Sequence, residues 1–217
     1  MGRTPLSYAA ARGRTEVIQA LIRQGARVNI IDKDSRTPLS HAAANRHAEA
    51  IQELLKAGAL IELREASNIC ESAPLPAICG NNHNSAMMLL ENGALINHKD
   101  RRHRTPLSHA SERSKNDSAV RLLVSRGADI HLKDSDGRTP LHWAVIGGNE
   151  GAVSTLVDAS AESDKGDNEK LAPISSTHLW LAISTGREEA AKILIRKGTN
   201  IHATDREEEG QHQLQSS

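Results

Sequence analysis

The chain has 217 residues, with 27 basic and 27 acidic side chains, two Trp, one Tyr, no Phe and two Cys, and its formal net charge is zero. The zero net charge argues against binding to nucleic acid or to an acidic membrane surface, and no apolar run approaches the ~18 residues of a membrane span. Two cysteines are too few for a disulfide scaffold, and the first residues carry no apolar stretch of signal-peptide type, so we expect an intracellular protein, cytoplasmic or nuclear.

The first predicted element of each unit is a short helix that starts at a recurring motif. The motif reads Arg-Thr-Pro-Leu, then Ser or His, then Tyr, His or Trp, then Ala, and full copies begin at Arg3, Arg36, Arg104 and Arg138. Threonine before proline predicts a helix start, because the hydroxyl can cap an early amide and proline suits the first helical position. In the second unit this helix is expected at residues 38–44.

The second predicted element is an amphipathic helix that ends at a glycine. Apolar residues recur at i, i+3 and i+4, as in Ile51, Leu54 and Leu55, which makes one apolar stripe per helix. The column that follows contains Gly25, Gly58, Gly93, Gly127, Ser160 and Gly198, at spacings of 33, 35, 34, 33 and 38 residues. Glycine is the usual residue at a helix C-terminus, so each copy predicts a stop followed by a polar turn.

The period divides the chain into about six units. Their approximate bounds are residues 1–35, 36–71, 72–103, 104–136, 137–170 and 171–202, and residues 203–217 read as a polar, disordered tail. The first unit has no preceding unit in this sequence, so Leu6, Ile18 and Leu21 are expected to be uncovered. At the other end we expect Leu194 or Ile195 to be partly uncovered.

Two sequence patterns together resemble the ankyrin repeat. They are Thr-Pro-Leu-(His/Ser)-x-Ala and Gly-Ala-x-(Ile/Val)-(Asn/His), and the variant with Ser and Tyr or His resembles fungal multi-repeat arrays. The resemblance implies an all-α, ankyrin-type solenoid of about six stacked helix-turn-helix repeats with projecting β-turn fingers. It also implies a protein–protein interaction module that recognises its partner through the concave face formed by first helices and fingers.

Residue patterns for catalysis or metal binding are weak. The chain has eleven histidines, but His41 and His109 share a repeat position with Tyr8 and Trp143, and no HExxH or CxxC spacing occurs. No Gly-x-Ser-x-Gly motif or phosphate-binding loop is present. We therefore expect no enzyme, metal or cofactor. A metal-dependent hydrolase that uses the histidines stays open as an alternative, and stoichiometric zinc in purified protein would support it.

The candidate partner-binding residues form a ring column and two charged fingers. The ring column is Tyr8, His41, His109 and Trp143, the basic finger contributes Arg101, Arg102 and Arg104, and the acidic finger contributes Asp134 and Asp136. Rings and arginines often anchor interfaces, so Trp143→Ala and Arg102→Ala are expected to weaken binding and leave the thermal midpoint nearly unchanged. In the alternative, the rings only cover joints between adjacent units, and Trp143→Ala lowers the midpoint.

The function that the sequence favours is an interaction module, expected to be monomeric, with an unidentified protein partner. The alternative is a recognition fragment of a larger multidomain enzyme or signalling protein whose catalytic part lies outside this sequence. A transcript that extends upstream of Met1 would support that alternative.

Overall fold

The computed structural model describes residues 2–61, 64–65, 68–69, 83–113, 117–163 and 176–202. The two cysteines, the predicted tail at 203–217 and residues 72–82 of the third unit lie outside these residues. Within the described ranges the chain forms eleven helices and one pair of two-residue strands. The predicted all-α solenoid is therefore confirmed as the fold class.

The helices alternate between the two types that the motif predicts. The described first helices are α1 (Pro5–Ala11), α3 (Pro38–Ala44), α6 (Pro106–Arg113), α8 (Pro140–Gly147) and α10 (Ser176–Ser184). The second helices are α2 (Thr15–Arg23), α4 (Ala48–Lys56), α5 (His83–Glu91), α7 (Ser118–Ser125), α9 (Glu150–Ser163) and α11 (Glu188–Arg196). The helix expected at residues 38–44 has these bounds in the structure.

Threonine side chains cap the first helices. In three of them the hydroxyl accepts the backbone N–H three residues later: Thr4 from Ser7, Thr37 from Ser40 and Thr105 from Ser108, at 3.1, 3.1 and 3.2 Å. In α8 the ring nitrogen Nδ1 of His142 accepts the backbone N–H of Thr139 at 3.2 Å. These bonds satisfy amides that have no partner inside the helix, so they fix where each first helix begins.

Glycines end the second helices. The residues Gly25, Gly58, Gly93, Gly127 and Gly198 all have φ between 80° and 94°, a left-handed conformation that costs glycine little. In the fifth unit Ser160 stands at this position, and α9 continues through it to Ser163. A side chain disfavours the left-handed stop, so α9 has 14 residues where the other second helices have eight or nine.

Like helices pack on like helices from unit to unit. First helices α1 and α3 are in contact, as are α6, α8 and α10, while the second helices make a parallel series from α2 to α11. The buried side chains form one cluster of Leu, Ile, Val and Ala, among which Leu39, Leu89 and Leu123 are wholly buried. Aromatic rings are almost absent from this core, as is consistent with a chain that has two Trp, one Tyr and no Phe.

The exposure of apolar residues agrees with the sequence expectation at the C-terminal end of the stack but not at the N-terminal end. Leu6 and Ile18 are only 2% and 0% exposed, so the prediction that they are uncovered is wrong. Contacts of α1 with α3, and of α2 with α4, place them in the joint with the second unit. Leu21, which shared that prediction, is half-buried. At the other end Ile195 is 48% exposed while Leu194 is buried, which confirms the expectation for Ile195.

A short hairpin lies between the second and third units. Strand β1 (Arg64–Glu65) pairs antiparallel with β2 (Asn68–Ile69), with Arg64 opposite Ile69 and Glu65 opposite Asn68. It is the one sheet in the described ranges and leaves the helical class unchanged.

Candidate functional site

Three fingers are described in full, and they share one backbone design. They are the first finger (residues 26–36), the third finger (94–104) and the fourth finger (128–138). Each tip is a β-turn that begins at an aspartate: the aspartate carbonyl accepts the N–H of Ser35, His103 or Gly137 at 3.0, 2.9 and 3.1 Å. The same aspartate then donates its own N–H to the carbonyl of Arg36, Arg104 or Arg138 at 3.0 Å in each case.

The aspartate side chain stabilises the turn through hydrogen bonds to backbone amides. Its Oδ1 accepts two further backbone amides: Asp32 from Asp34 and Arg36, Asp100 from Arg102 and Arg104, and Asp134 from Asp136 and Arg138, at 2.8 to 3.0 Å. The carboxylate thus supports the turn through local side-chain-to-backbone bonds. The tips are therefore held in one conformation by several bonds each.

The second carboxylate oxygen links each turn to the ring column. Oδ2 of Asp32 lies 2.7 Å from Nε2 of His41, and Oδ2 of Asp100 lies 2.8 Å from Nε2 of His109. In the fourth finger Oδ2 of Asp134 accepts the indole N–H of Trp143 at 2.8 Å. We call each such pair a finger lock. Three different fingers use the same lock with two kinds of ring.

The locks bury most of the ring column. His41 is 2% exposed and Trp143 7%, His109 is half-buried, and Tyr8 on α1 is 43% exposed. Buried rings cannot present a face to a partner in this conformation, which favours the alternative that they cover joints between units. Their predicted role in partner binding stays a prediction, and the structure places Tyr8 alone among the four at an open surface.

The structure brings the basic and acidic fingers together at Trp143. The guanidinium carbon of Arg104 lies 3.8 Å from the centroid of the indole ring, and that of Arg138 lies 5.2 Å from it. Arg104 is 8% exposed, and its Nη2 donates to Oε2 of Glu112 at 2.6 Å. Cations over an indole face are attracted by the ring. Arg104 therefore joins the fourth and fifth units instead of lying at a fingertip.

The remaining predicted residues lie at exposed tips. Arg101 and Arg102 are exposed on the third finger, and Asp136 is exposed on the fourth. The two tips touch through the backbone, because Ser135 donates its N–H to the carbonyl of Arg102 at 2.9 Å. Asp136 also lies 3.5 Å from Nη1 of Arg138.

Hydrogen bonds and burial shift the pKa values of the three lock aspartates and of His109. Burial alone would raise the pKa of Asp100, but hydrogen bonds from His109 and from two backbone amides outweigh it and hold that pKa below its ordinary value. Asp32 and Asp134 have lowered pKa values by the same balance, with His41 and Trp143 as the ring donors. Burial lowers the pKa of His109, and its bond to Asp100 opposes this only in part.

Sequence reasoning singled out Asp134 but missed Asp32 and Asp100. The signal was available, since each aspartate stands nine residues before its ring: 32 and 41, 100 and 109, 134 and 143. It also missed Asn29 and Asn97, which bridge neighbouring fingers. The Asn29 side chain contacts both Gly58 and Leu60, at 3.2 and 2.8 Å, and Oδ1 of Asn97 accepts the N–H of Asp129 at 2.9 Å.

Neither a metal site nor a membrane-spanning helix is found in the described ranges. No group of three or more His, Cys, Asp and Glu side chains there has the arrangement to hold a metal ion. Helices of the length and apolarity that cross a membrane are absent from the same residues.

Comparisons with known proteins agree with the geometry. A family model described as "Ankyrin repeats (3 copies)" matches residues 1–65, 63–134 and 110–205. The crystal structure of the human ASB11 ankyrin repeat domain superposes with a TM-score of 0.74 and 24% identity, over 93% of this chain and 86% of that chain. At this identity the likeness shows the fold alone. Comparison with curated proteins gives no match.

Proposed function

Because the chain belongs to the ankyrin repeat family, we propose that it binds a protein partner through its fingers and first helices and carries no catalytic site of its own. Ankyrin repeats are in general protein–protein interaction modules. The proposal assigns that role to the concave side of this array, where fingers and first helices are expected to form one continuous surface.

The observation that carries the proposal is the contrast between locked turns and variable tips. Every described finger is fixed by the same aspartate, while the two residues after it are Lys-Asp, Arg-Arg or Ser-Asp. A preordered backbone loses little conformational freedom on binding, so the free energy of contact is retained as affinity. Differences at the tip then determine which partner fits.

Within this proposal the predicted residues divide into two groups. Tyr8, Arg101, Arg102 and Asp136 are exposed and contact the partner directly. The other five are buried or half-buried and hold the fingers in position: His41, Arg104, His109, Asp134 and Trp143. Substitution in the first group should change binding, and substitution in the second should change stability first.

Site-specific photo-crosslinking in cells tests the proposed surface. A photoreactive amino acid replaces Tyr8 or Asp136 on the proposed side and, as the matched control, exposed Gln52 on α4. We expect both test positions to give an adduct with the same protein, identified by mass spectrometry, and the control to give none. Adducts from position 52 alone would move the binding surface to the second helices and overturn the proposal.

We further propose an intracellular, monomeric protein, in the cytoplasm or the nucleus. The support is the content of only two cysteines, which is typical of proteins that fold without a disulfide framework. Light scattering of the purified chain tests the monomer, and imaging of the tagged protein in its cell of origin tests the location.

A further inference from the structure

We propose that the tip of the third finger is a docking site for an acidic segment of a protein, rich in Asp and Glu. This inference rests on the proposed function, because it names the chemistry of the partner at one part of that surface.

The first observation is a charge difference at equivalent positions. Residues 99–104 contain four basic side chains and one acidic, whereas residues 31–36 and 133–138 each contain two of each sign. The third tip therefore carries a formal charge of +3 with His103 neutral, and the first and fourth tips carry none. The shared backbone of these tips makes the difference a property of side chains alone.

The second observation is that these cations are presented at the surface. Lys99, Arg101, Arg102 and His103 are all exposed. The anions close to them already have partners. Oδ1 of Asp100 accepts two backbone amides of the tip, and its Oδ2 bonds His109. Glu112 bonds Arg104, and Asp136 on the adjoining tip pairs with Arg138. In the described part of the chain, no ion pair involves Lys99 or Arg102. These two side chains can therefore pair with carboxylates from outside.

The third observation is that the tip is ordered before binding. The N–H of Arg102 donates to Oδ1 of Asp100 at 2.8 Å, and the carbonyl of Arg102 accepts from Ser135 of the next finger at 2.9 Å. A fixed backbone presents the guanidinium group at low entropic cost, and guanidinium pairs with carboxylate through two parallel bonds.

The surface fits carboxylates better than a nucleic acid. The basic cluster is one finger wide, and the tips of the first and fourth fingers have no net charge, so the fully described fingers form no basic stripe for a phosphate backbone to follow. Bases would need exposed rings on which to stack, but Trp143 is buried under Arg104. An acidic peptide needs only a few discrete contacts.

A tip exchange tests the proposal without disturbing the turn. Arg101→Ser with Arg102→Asp gives the third finger the residues that the fourth finger already carries on the same backbone. Lys33→Ser removes one cation from the first finger and serves as the matched control. The probe is a fluorescent twelve-residue peptide of alternating Glu and Gly, measured by anisotropy with the full chain at low salt.

We expect the exchange to weaken peptide binding about tenfold or more and the control to change it less than about twofold, with affinity falling as salt rises. The reciprocal exchange, Ser135→Arg with Asp136→Arg, should tighten binding. Equal binding by the wild type and the Arg101→Ser, Arg102→Asp chain, no binding by the wild type, or tighter binding of a twelve-nucleotide single strand than of the peptide would overturn the inference.

Photo-crosslinking separates this inference from the proposed function. If the Tyr8 and Asp136 adducts persist in the exchanged chain while the peptide result is negative, the interaction surface stands and the acidic partner is wrong. If those adducts are absent while the peptide binds as expected, the acidic site stands and the wider surface is wrong.

Discussion

The third and fourth fingers have the same backbone but different side chains at the lock and at the tip. Asp100 bonds the imidazole of His109, whereas Asp134 bonds the indole of Trp143, at 2.8 Å in both cases. The turn of the third tip closes on His103, and that of the fourth closes on Gly137. Because both fingers share the aspartate and the turn, the aspartate determines the shape of a finger. The ring partner decides how the finger responds to substitution and to pH.

The largest difference is expected from removal of the ring. Trp143→Ala should cost about 3–5 kcal/mol in the free energy of unfolding, because it empties a buried site and leaves Asp134 and Arg104 without a packing partner. His109→Ala, the equivalent change in the third finger, should cost about 1–3 kcal/mol, because a smaller, half-buried ring is removed. Urea titration followed by circular dichroism measures both. Equal costs would show that the two locks contribute alike.

Replacement of the lock aspartate by asparagine should destabilise the two fingers to different extents, because indole and imidazole differ in their hydrogen-bonding capacity. Asp134→Asn can direct an amide N–H at the indole N–H, so two donors meet and a buried bond is lost, at a cost of about 1–3 kcal/mol. Asp100→Asn should be milder, since neutral His109 can accept a hydrogen bond from the new amide. The same titration compares the two variants. A larger loss at Asp100 than at Asp134 would contradict this account of the locks.

The tip residues give a smaller effect. Gly137 has φ of 75° and His103 has φ of 58°, so both hold the left-handed conformation that side chains disfavour. Gly137→Ala should destabilise by roughly 1–2 kcal/mol through the backbone alone, because no atom lies within 4 Å of the added methyl.

His103→Gly is the reciprocal change. Relief of strain in the fold and the greater freedom of the unfolded chain oppose each other, so we expect stability to change by less than about 1 kcal/mol. Thermal midpoints of the two variants, measured side by side, test the pair. A loss from His103→Gly as large as that from Gly137→Ala would show that the His103 side chain itself supports the third finger.

The smallest expected difference is a response to pH. The folded-state pKa of His109 lies below its ordinary value of 6.5, so the unfolded chain takes up this proton more readily. The contribution of the third finger lock to the free energy of unfolding is fully present above about pH 6.5, and it decreases as the pH drops below that value. Trp143 does not titrate, and the pKa of Asp134 is lowered from 3.8, so the fourth lock should hold until the pH approaches that range.

Unfolding titrations between pH 7.5 and about 5 test this difference. His109→Gln replaces the ring with a group that does not titrate, and it should flatten the dependence of stability on pH relative to the wild type. The remaining histidines act as the common background in both chains. Identical slopes for the two proteins would show that His109 does not sense pH through its lock.

The fold was predictable because its determinants are local and repeated. The local sequence alone identifies the threonine that caps an amide three residues later. It also identifies the glycine that ends a helix in the left-handed conformation. Ser160 occupies the glycine column in the fifth unit, and there the helix continues to Ser163.

The candidate site was less predictable because its contacts cross between units. The burial of Trp143 depends on Arg104, which belongs to the preceding motif, 39 positions earlier in the chain. Sequence reasoning ranked the rings as anchors from their chemistry, but it had no measure of what covers them. The exposure of Arg101, Arg102 and Asp136 is easier to foresee, since a polar tip has no apolar surface to cover it.

One close approach has a consequence for how such an array changes over evolution. A methyl group on Gly147, at the end of α8, would lie 2.1 Å from the carbonyl oxygen of Glu112 on α6, so any side chain there forces the two helices apart. The fourth finger leads directly into the other end of α8, roughly 12 Å away. A larger side chain at residue 147 would therefore change the distance between the third and fourth fingertips. Under the proposed function, partner preference could then change through a residue that is not at a fingertip.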